Sequence, residues 1–250
     1  MNEKTQSALG AGLLGFIILG SLIWYMATTP PPGFEVPVPA FVEPEPQTFS
    51  ETTQYYDIQA VYPSKTPLSA SVGVKADTEA VSLMRDFQEE TIAEFKRNGG
   101  FDSLTPEDIE MFGYDQGRKQ ALGFEYNTYT SDKTVSYEYS IYADTMGAHP
   151  NLYFRTFTFN LNTGDLMTLK DLFPNDPGYL ETVSGLSRDS LREQLGEYAN
   201  TEYLEDGTTP MEVNFQNFVV DGDTLVIIFP PYQVGPYALG VQRVEIPLEN

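Results

Sequence analysis

The chain has 250 residues, no cysteine, a single histidine and a formal net charge of −22 at pH 7. That length holds one large domain or two small ones, with a sizeable core. The missing cysteines exclude disulfides, thiolate metal sites, cysteine nucleophiles and an acylated-cysteine anchor, and the lone His149 excludes a multi-histidine metal site.

Residues 1–7 form a short polar tail. Residues 8–27, ALGAGLLGFIILGSLIWYMA, carry no charge. A helix of that length rises ~30 Å, the depth of bilayer hydrocarbon. Trp24 and Tyr25 stand at its far end, where amphipathic rings favour the lipid–water boundary. The alternative is a cleaved signal peptide, but Tyr25-Met26-Ala27-Thr28 matches a small-residue cleavage site poorly. Lys4 precedes the run, and no Lys or Arg follows until Lys65. Positive residues stay inside, so a single-pass anchor with a cytoplasmic N-terminus and the remaining chain outside is expected. Gly10, Gly15 and Gly20 recur every five residues, not four, so no helix-dimerisation motif is read.

The part beyond residue 27 still carries a net −22. Nucleic acid and anionic lipid are poor partners for such a surface. Solubility alone accounts for the charge, and a basic partner is the functional alternative. Residues 30–49, PPPGFEVPVPAFVEPEPQTF, contain seven prolines and no positive charge. Proline fixes φ and removes donors, so residues 28–50 are expected to be an extended linker. At ~3.1 Å per residue it would lift the domain up to ~60 Å from the membrane.

Residues 51–250 are expected to form the folded domain. Tyr56, Ile58, Ala60 and Tyr62 alternate with polar residues and read as a strand ended by Pro63. A helical stripe begins at Asp77 and runs through Ala80, Met84, Phe87, Thr91 and Phe95, with Asn98-Gly99-Gly100 as the stop. Val135, Tyr137, Tyr139 and Ile141 face one side of a strand, and Ser136, Glu138 and Ser140 the other. Phe157, Phe159 and Leu161 alternate with Thr156, Thr158 and Asn160, and Asn162-Thr163-Gly164-Asp165 is a turn before Leu166–Leu169. A second helix fits Tyr179–Tyr198, with Leu180, Val183, Leu191 and Leu195 inward. Phe218–Val220, the turn Asp221-Gly222-Asp223, Leu225–Phe229 and Val241–Leu248 complete the pattern. The fold class predicted is α+β: two main helices packed on a largely antiparallel sheet.

Between the last two strands lies FPPYQVGPYALG, residues 229–240. Pro230, Pro231 and Pro236 stiffen the backbone, and Gly235 and Gly240 permit angles or approaches that bulkier residues resist. Tyr232 and Tyr237 are large, amphipathic and have only two side-chain torsions each, which suits a preorganised binding surface. The bland alternative is a corner whose tyrosines cover the edge of the core.

This stretch, leading into a final VxIPL strand, resembles the C-terminal signature of the RsiV-like extracytoplasmic domain, shared with the non-catalytic part of PdaC-type peptidoglycan deacetylases. A second match is GAHPN at 147–151, followed by FTFNLNTGDLMTLKDLF at 157–173. The resemblance covers about residues 55–248. It implies an envelope-facing, membrane-tethered module; in RsiV-type proteins the domain binds lysozyme and restrains a sigma factor. Only about seven residues precede the apolar run, and no deacetylase domain follows residue 250, so neither the anti-sigma role nor deacetylation is expected to carry over. The candidate binding residues are His149, Asn151, Tyr232, Gln233 and Tyr237.

Catalysis has thin support. His149 suits acid–base work. Asp144 and Asp165 are nearby in sequence, but no G-x-S-x-G elbow is present, and Ser184-Gly185 falls inside a predicted helix. Among 36 acidic residues some pair of carboxylates will always be close, so a glycosidase-like pair has no specificity. Asp221-Gly222-Asp223 and Glu205-Asp206-Gly207 lack a full calcium ligand set and read as turns. No phosphate-binding loop or dinucleotide fingerprint occurs, and no cofactor or metal is expected. Two classes remain: a tethered binding or sensing module for a cell-wall glycan or a basic extracellular protein, and an envelope hydrolase using His149 or a carboxylate pair.

Overall fold

The computed structural model describes residues 43–248. The apolar run 8–27 and the linker up to residue 42 lie outside the described residues. Among those described, no helix is long and apolar enough to cross a membrane.

Two sheets replace the one expected. The larger has six strands in sequential order: β1 (Gln47–Thr52), β2 (Tyr56–Tyr62), β3 (Gln120–Thr130), β4 (Thr134–Asp144), β5 (Asn151–Asn160) and β6 (Leu166–Met167). β1 takes Gln47–Ser50 out of the proline-rich linker and pairs them with β2. The smaller sheet is a meander of β7 (Phe218–Asp221), β8 (Thr224–Phe229) and β9 (Gln242–Pro247). All pairings are antiparallel except β2–β3, which is parallel over Tyr56–Gln59 and Gln120–Gly123. A parallel neighbour needs a long crossover. Residues between β2 and β3 supply it with α1 (Leu68–Ser71), α2 (Val74–Gly99) and α3 (Pro106–Phe112).

The helix α2 starts three residues before the expected Asp77. Asp77 lies one turn inside, buried, where its carboxylate accepts from the Thr66 amide (2.6 Å) and hydroxyl (2.9 Å). Gly100, at φ 59, ends the helix in the left-handed conformation. The stripe Ala80, Met84 and Phe95 packs on Ile58, Phe124, Tyr137, Tyr139 and Phe157, all buried. This is the first core.

A second core forms where α4 (Tyr179–Leu195) covers the small sheet, with Val183 and Leu191 against Leu225, Ile227 and Val244. α4 ends at Leu195, and Gly196–Tyr198 continue as a 3₁₀ turn. α5 (Thr201–Gly207) follows.

The polar face of β4 and β5 is buried. Ser136, Glu138, Thr156 and Thr158 are each at most 8% exposed, because β7 lies across them. Ser136 Oγ accepts from the Val220 amide (3.1 Å) and Thr156 Oγ1 from the Phe218 amide (3.0 Å). Glu138 receives both guanidinium nitrogens of Arg243 on β9, and the Tyr129 hydroxyl donates to it at 2.9 Å. The two sheets are thus joined by a seam of hydroxyls and one ion pair whose carboxylate is buried.

Candidate functional site

The β4–β5 connection and the β8–β9 loop meet at one end of the molecule. In the first, the Asp144 carboxylate accepts the Met146 amide (2.8 Å), and Met146 adopts φ 61. The tight turn brings His149 and Pro150 up to β5.

In the second, the Gln233 amide donates to the Pro230 carbonyl at 3.2 Å, closing a four-residue turn. Pro231 and Tyr232 are its central residues, and Tyr232 has φ 74. Proline followed by positive φ is the pattern of a type II turn, whose second central position favours glycine. A tyrosine there stores strain on the order of 1–3 kcal/mol. The turn leaves Tyr232 50% exposed.

The two loops are fastened by hydrogen bonds and ring contacts. The Tyr237 hydroxyl donates to the Pro150 carbonyl at 3.0 Å. The His149 and Tyr237 rings stack with centroids 3.9 Å apart and planes at 22°. His149 Nδ1 lies 2.9 Å from the same Pro150 carbonyl, and Nε2 lies 2.9 Å from the Tyr232 hydroxyl. A carbonyl only accepts, so Nδ1 carries the proton. In the neutral ring Nε2 then accepts from Tyr232. Tyr232 and Tyr237 are themselves 5.6 Å apart, centroid to centroid.

Three of the five candidate binding residues, His149, Tyr232 and Tyr237, are therefore brought together from positions about 85 residues apart. Asn151 sits beside them, half-buried at the start of β5 and paired with Ala143. Gln233 differs from the other four. Its side chain turns inward, and Nε2 donates to the carbonyls of Gly207 (3.0 Å) and Asn214 (2.8 Å). It clamps the loop and is partly buried, because the strained turn that lifts Tyr232 out sends its neighbour in. Pro230 and Pro231 form the turn, and Pro236 precedes a 3₁₀ turn over Tyr237–Leu239. Gly240 is at φ 68, while a Cβ on Gly235 would meet Leu239 at 2.8 Å. The residue that sequence reasoning passed over is Pro150, whose carbonyl is the shared acceptor. The signal was its position directly after the lone histidine.

No carboxylate or serine bonds to His149 among the described residues. Asp165 lies in the turn beyond the opposite end of β5. Ser184 is buried in α4 and donates to the Thr208 carbonyl. Glu205-Asp206-Gly207, read as a turn, instead ends the helix α5, where Glu205 pairs with Arg188 (3.3 Å) and Arg192 (2.9 Å). Among the described residues no three acidic or histidine side chains converge as a metal site. A cavity of about 650 Å³ lies beside β3, and another of about 850 Å³ lies between the β3–β4 turn and α4. Neither is lined by His149, Tyr232 or Tyr237. Tyr232 stands half-exposed at the surface, with His149 and Tyr237 partly buried beside it.

Residues 170–249, which include the β8–β9 loop, match the family described as Protein of unknown function (DUF3298). The chain is 26% identical over 130 residues to the peptidoglycan-N-acetylmuramic acid deacetylase PdaC of Bacillus subtilis, and 25% identical over 114 residues to an esterase of Mycobacterium tuberculosis. These matches take in 52% and 46% of this chain but only 28% and 49% of the two relatives. The PdaC match agrees with the resemblance that the two loops carry. A solved DUF3298 protein from Bacteroides fragilis superimposes with a TM-score of 0.52 at 18% identity, covering 81% of this chain and 89% of that one. At that identity the DUF3298 likeness speaks for the fold.

Proposed function

We propose that the folded domain is a non-catalytic recognition module of the cell envelope, with Tyr232 as its contact residue and His149 and Tyr237 as the frame. One observation carries this reading: a half-exposed tyrosine occupies a turn position at φ 74 where glycine would be less strained. Strain kept at an exposed aromatic residue is a mark of function. A flat ring with a hydroxyl at its tip suits a sugar face, and the partial likeness to a peptidoglycan deacetylase supports a cell-wall glycan as ligand. The net charge of −22 supports a second reading, a basic protein such as lysozyme, whose encounter the acidic surface would speed. The apolar run 8–27 would hold the module to the membrane with the domain outside, accessible to protease added to intact cells.

Tyr232→Gly tests the assignment. It should leave the melting temperature unchanged or raised, and should lower retention on purified peptidoglycan or on immobilised lysozyme at least tenfold. Weakening with salt would point to the basic protein, and indifference to salt to the glycan. A variant that melts much lower, or binds both as well as the parent, would sink the proposal. Turnover of peptidoglycan or of simple esters that vanishes in His149→Ala would favour the hydrolase reading instead.

A further inference from the structure

β2 and β3 part company in mid-sheet. Their parallel pairing ends at Gln59 and Gly123, although β3 continues to Thr130. Beyond that point Val61 turns its carbonyl to Gln88 Nε2 (2.7 Å), and a cavity of about 650 Å³ opens between Val61, the stretch Glu125–Thr128 of β3 and the segment Glu43–Pro46 that leads into β1.

The register says what β3 presents to this gap. The β3–β4 hairpin is closed by the Ser131 amide donating to the Thr134 carbonyl. Antiparallel pairs alternate between bonded and non-bonded, so Asn127↔Glu138 and Tyr129↔Ser136 exchange hydrogen bonds, while Tyr126↔Tyr139 and Thr128↔Tyr137 do not. The amides and carbonyls of Tyr126 and Thr128 therefore point away from β4. Two outer residues of the same parity confirm this direction. The Gln120 amide bonds to Tyr55, and the Thr130 carbonyl accepts from Gly222. Tyr126 and Thr128 have no backbone partner on that side among the described residues.

Three carboxylates line the gap, Glu43, Glu45 and Glu125, and no basic side chain does so among the described residues. Glu43 lies on the face of Tyr126 and Thr128, whose hydroxyls donate to it at 2.6 and 2.8 Å. Glu125, one residue along the strand, lies on the other face.

We propose that this interrupted edge of β3 captures an extended, basic polypeptide segment, which adds as a strand beside Tyr126–Thr128. Backbone groups in the sheet plane require an extended main chain as partner. Carboxylates on both faces match lysine or arginine at positions of either parity, since successive side chains of a strand point to opposite faces. A helix or a folded surface without a free edge would satisfy neither condition.

The test is hydrogen exchange resolved to single amides, on the full chain in detergent, titrated with the peptide acetyl-KVKTKVK-amide. Exchange at Tyr126 and Thr128 should slow at least tenfold, with Asn127 and Tyr129 unchanged and the effect weakening as salt rises. A peptide N-methylated at alternate residues, and the glutamate counterpart acetyl-EVETEVE-amide, should give no protection. Thr128→Pro removes one outward donor and should abolish capture, whereas Thr128→Ala should retain it. The proposal is overturned if the two amides are already protected without peptide, if millimolar peptide leaves them unchanged, or if the glutamate peptide protects equally.

Discussion

Tyr237 gives its hydroxyl hydrogen to the Pro150 carbonyl and its ring face to His149, so it fastens two loops that are distant in sequence. Tyr237→Phe keeps the stack and loses the hydrogen bond, a change of about 1 kcal/mol in chemical denaturation. Tyr237→Ala loses both and should cost about 2–3 kcal/mol. These losses are opposite in sense to the expected behaviour of Tyr232→Gly, and the contrast separates frame from contact. At this scale much was legible: a lone histidine and two tyrosines in stiff loops stand out by residue type. Gln233 did not declare its inward direction, because the positive φ of the preceding tyrosine sets it, and nothing in a Pro-Pro-Tyr sequence announces that angle.

The β8–β9 loop is held from below by the end of α5. A Cβ built on Gly207 would lie 2.0 Å from the Gln233 carbonyl. The obstacle is backbone, so Gly207→Ala must push the loop away or open the Gln233 clamp. We expect a loss of about 2–4 kcal/mol in denaturant titration, in line with overpacking of a tight contact, together with loss of the His149–Tyr232 contact seen in the histidine ring resonances. Gly222 has φ 55 but open space around it; its replacement should disturb only the β7–β8 hairpin. The strands and two long helices were readable from periodicity, since Val135, Tyr137, Tyr139 and Ile141 are all at most 3% exposed. The β1 strand was hidden by its proline-rich approach and nearly complete exposure. The crossing of β2 to a parallel partner was hidden because alternation is the same whichever way a neighbour runs.

The two sheets meet through Glu138, 1% exposed, and Arg243. Arg243 is held further above its ordinary pKa chiefly by the hydrogen bonds it donates to Glu138. Removing one partner of a buried pair leaves an uncompensated charge. Arg243 is 39% exposed and keeps water when Glu138 is removed, so Glu138→Ala should cost less than the ~3–5 kcal/mol of a fully buried pair, and Glu138→Gln, which keeps shape and accepts one bond, less again. Acid should loosen the molecule elsewhere. Glu51 is held below its ordinary value by hydrogen bonds from Lys96 and then Tyr56. Asp57 is lowered by Thr52 and then Lys119, and Asp171 by the backbone and side chain of Thr168. A lowered folded pKa means stability that is present above the unfolded values, near 4.5 and 3.8, and lost as pH falls through the folded ones. The melting temperature should hold above about pH 5 and drop below about pH 4, with a shallower drop in Glu51→Gln.

Composition by itself fixed the absence of thiol chemistry and of multi-histidine metal sites, and periodicity fixed which residues of each strand and helix turn toward the first core. The resemblance of two loops located the candidate surface, because stiff, aromatic segments are local features. The second sheet's position was decided only by tertiary structure. Ser136, Glu138, Thr156 and Thr158 form a polar stripe identical to one that faces water, and only the arrival of β7 and Arg243 from more than 60 residues away buries it. The contact between His149 and Tyr232, and the parting of β2 from β3 after Gln59 and Gly123, belong to the same class. Each depends on where a distant backbone passes, and a pattern of side chains along one strand carries no record of that.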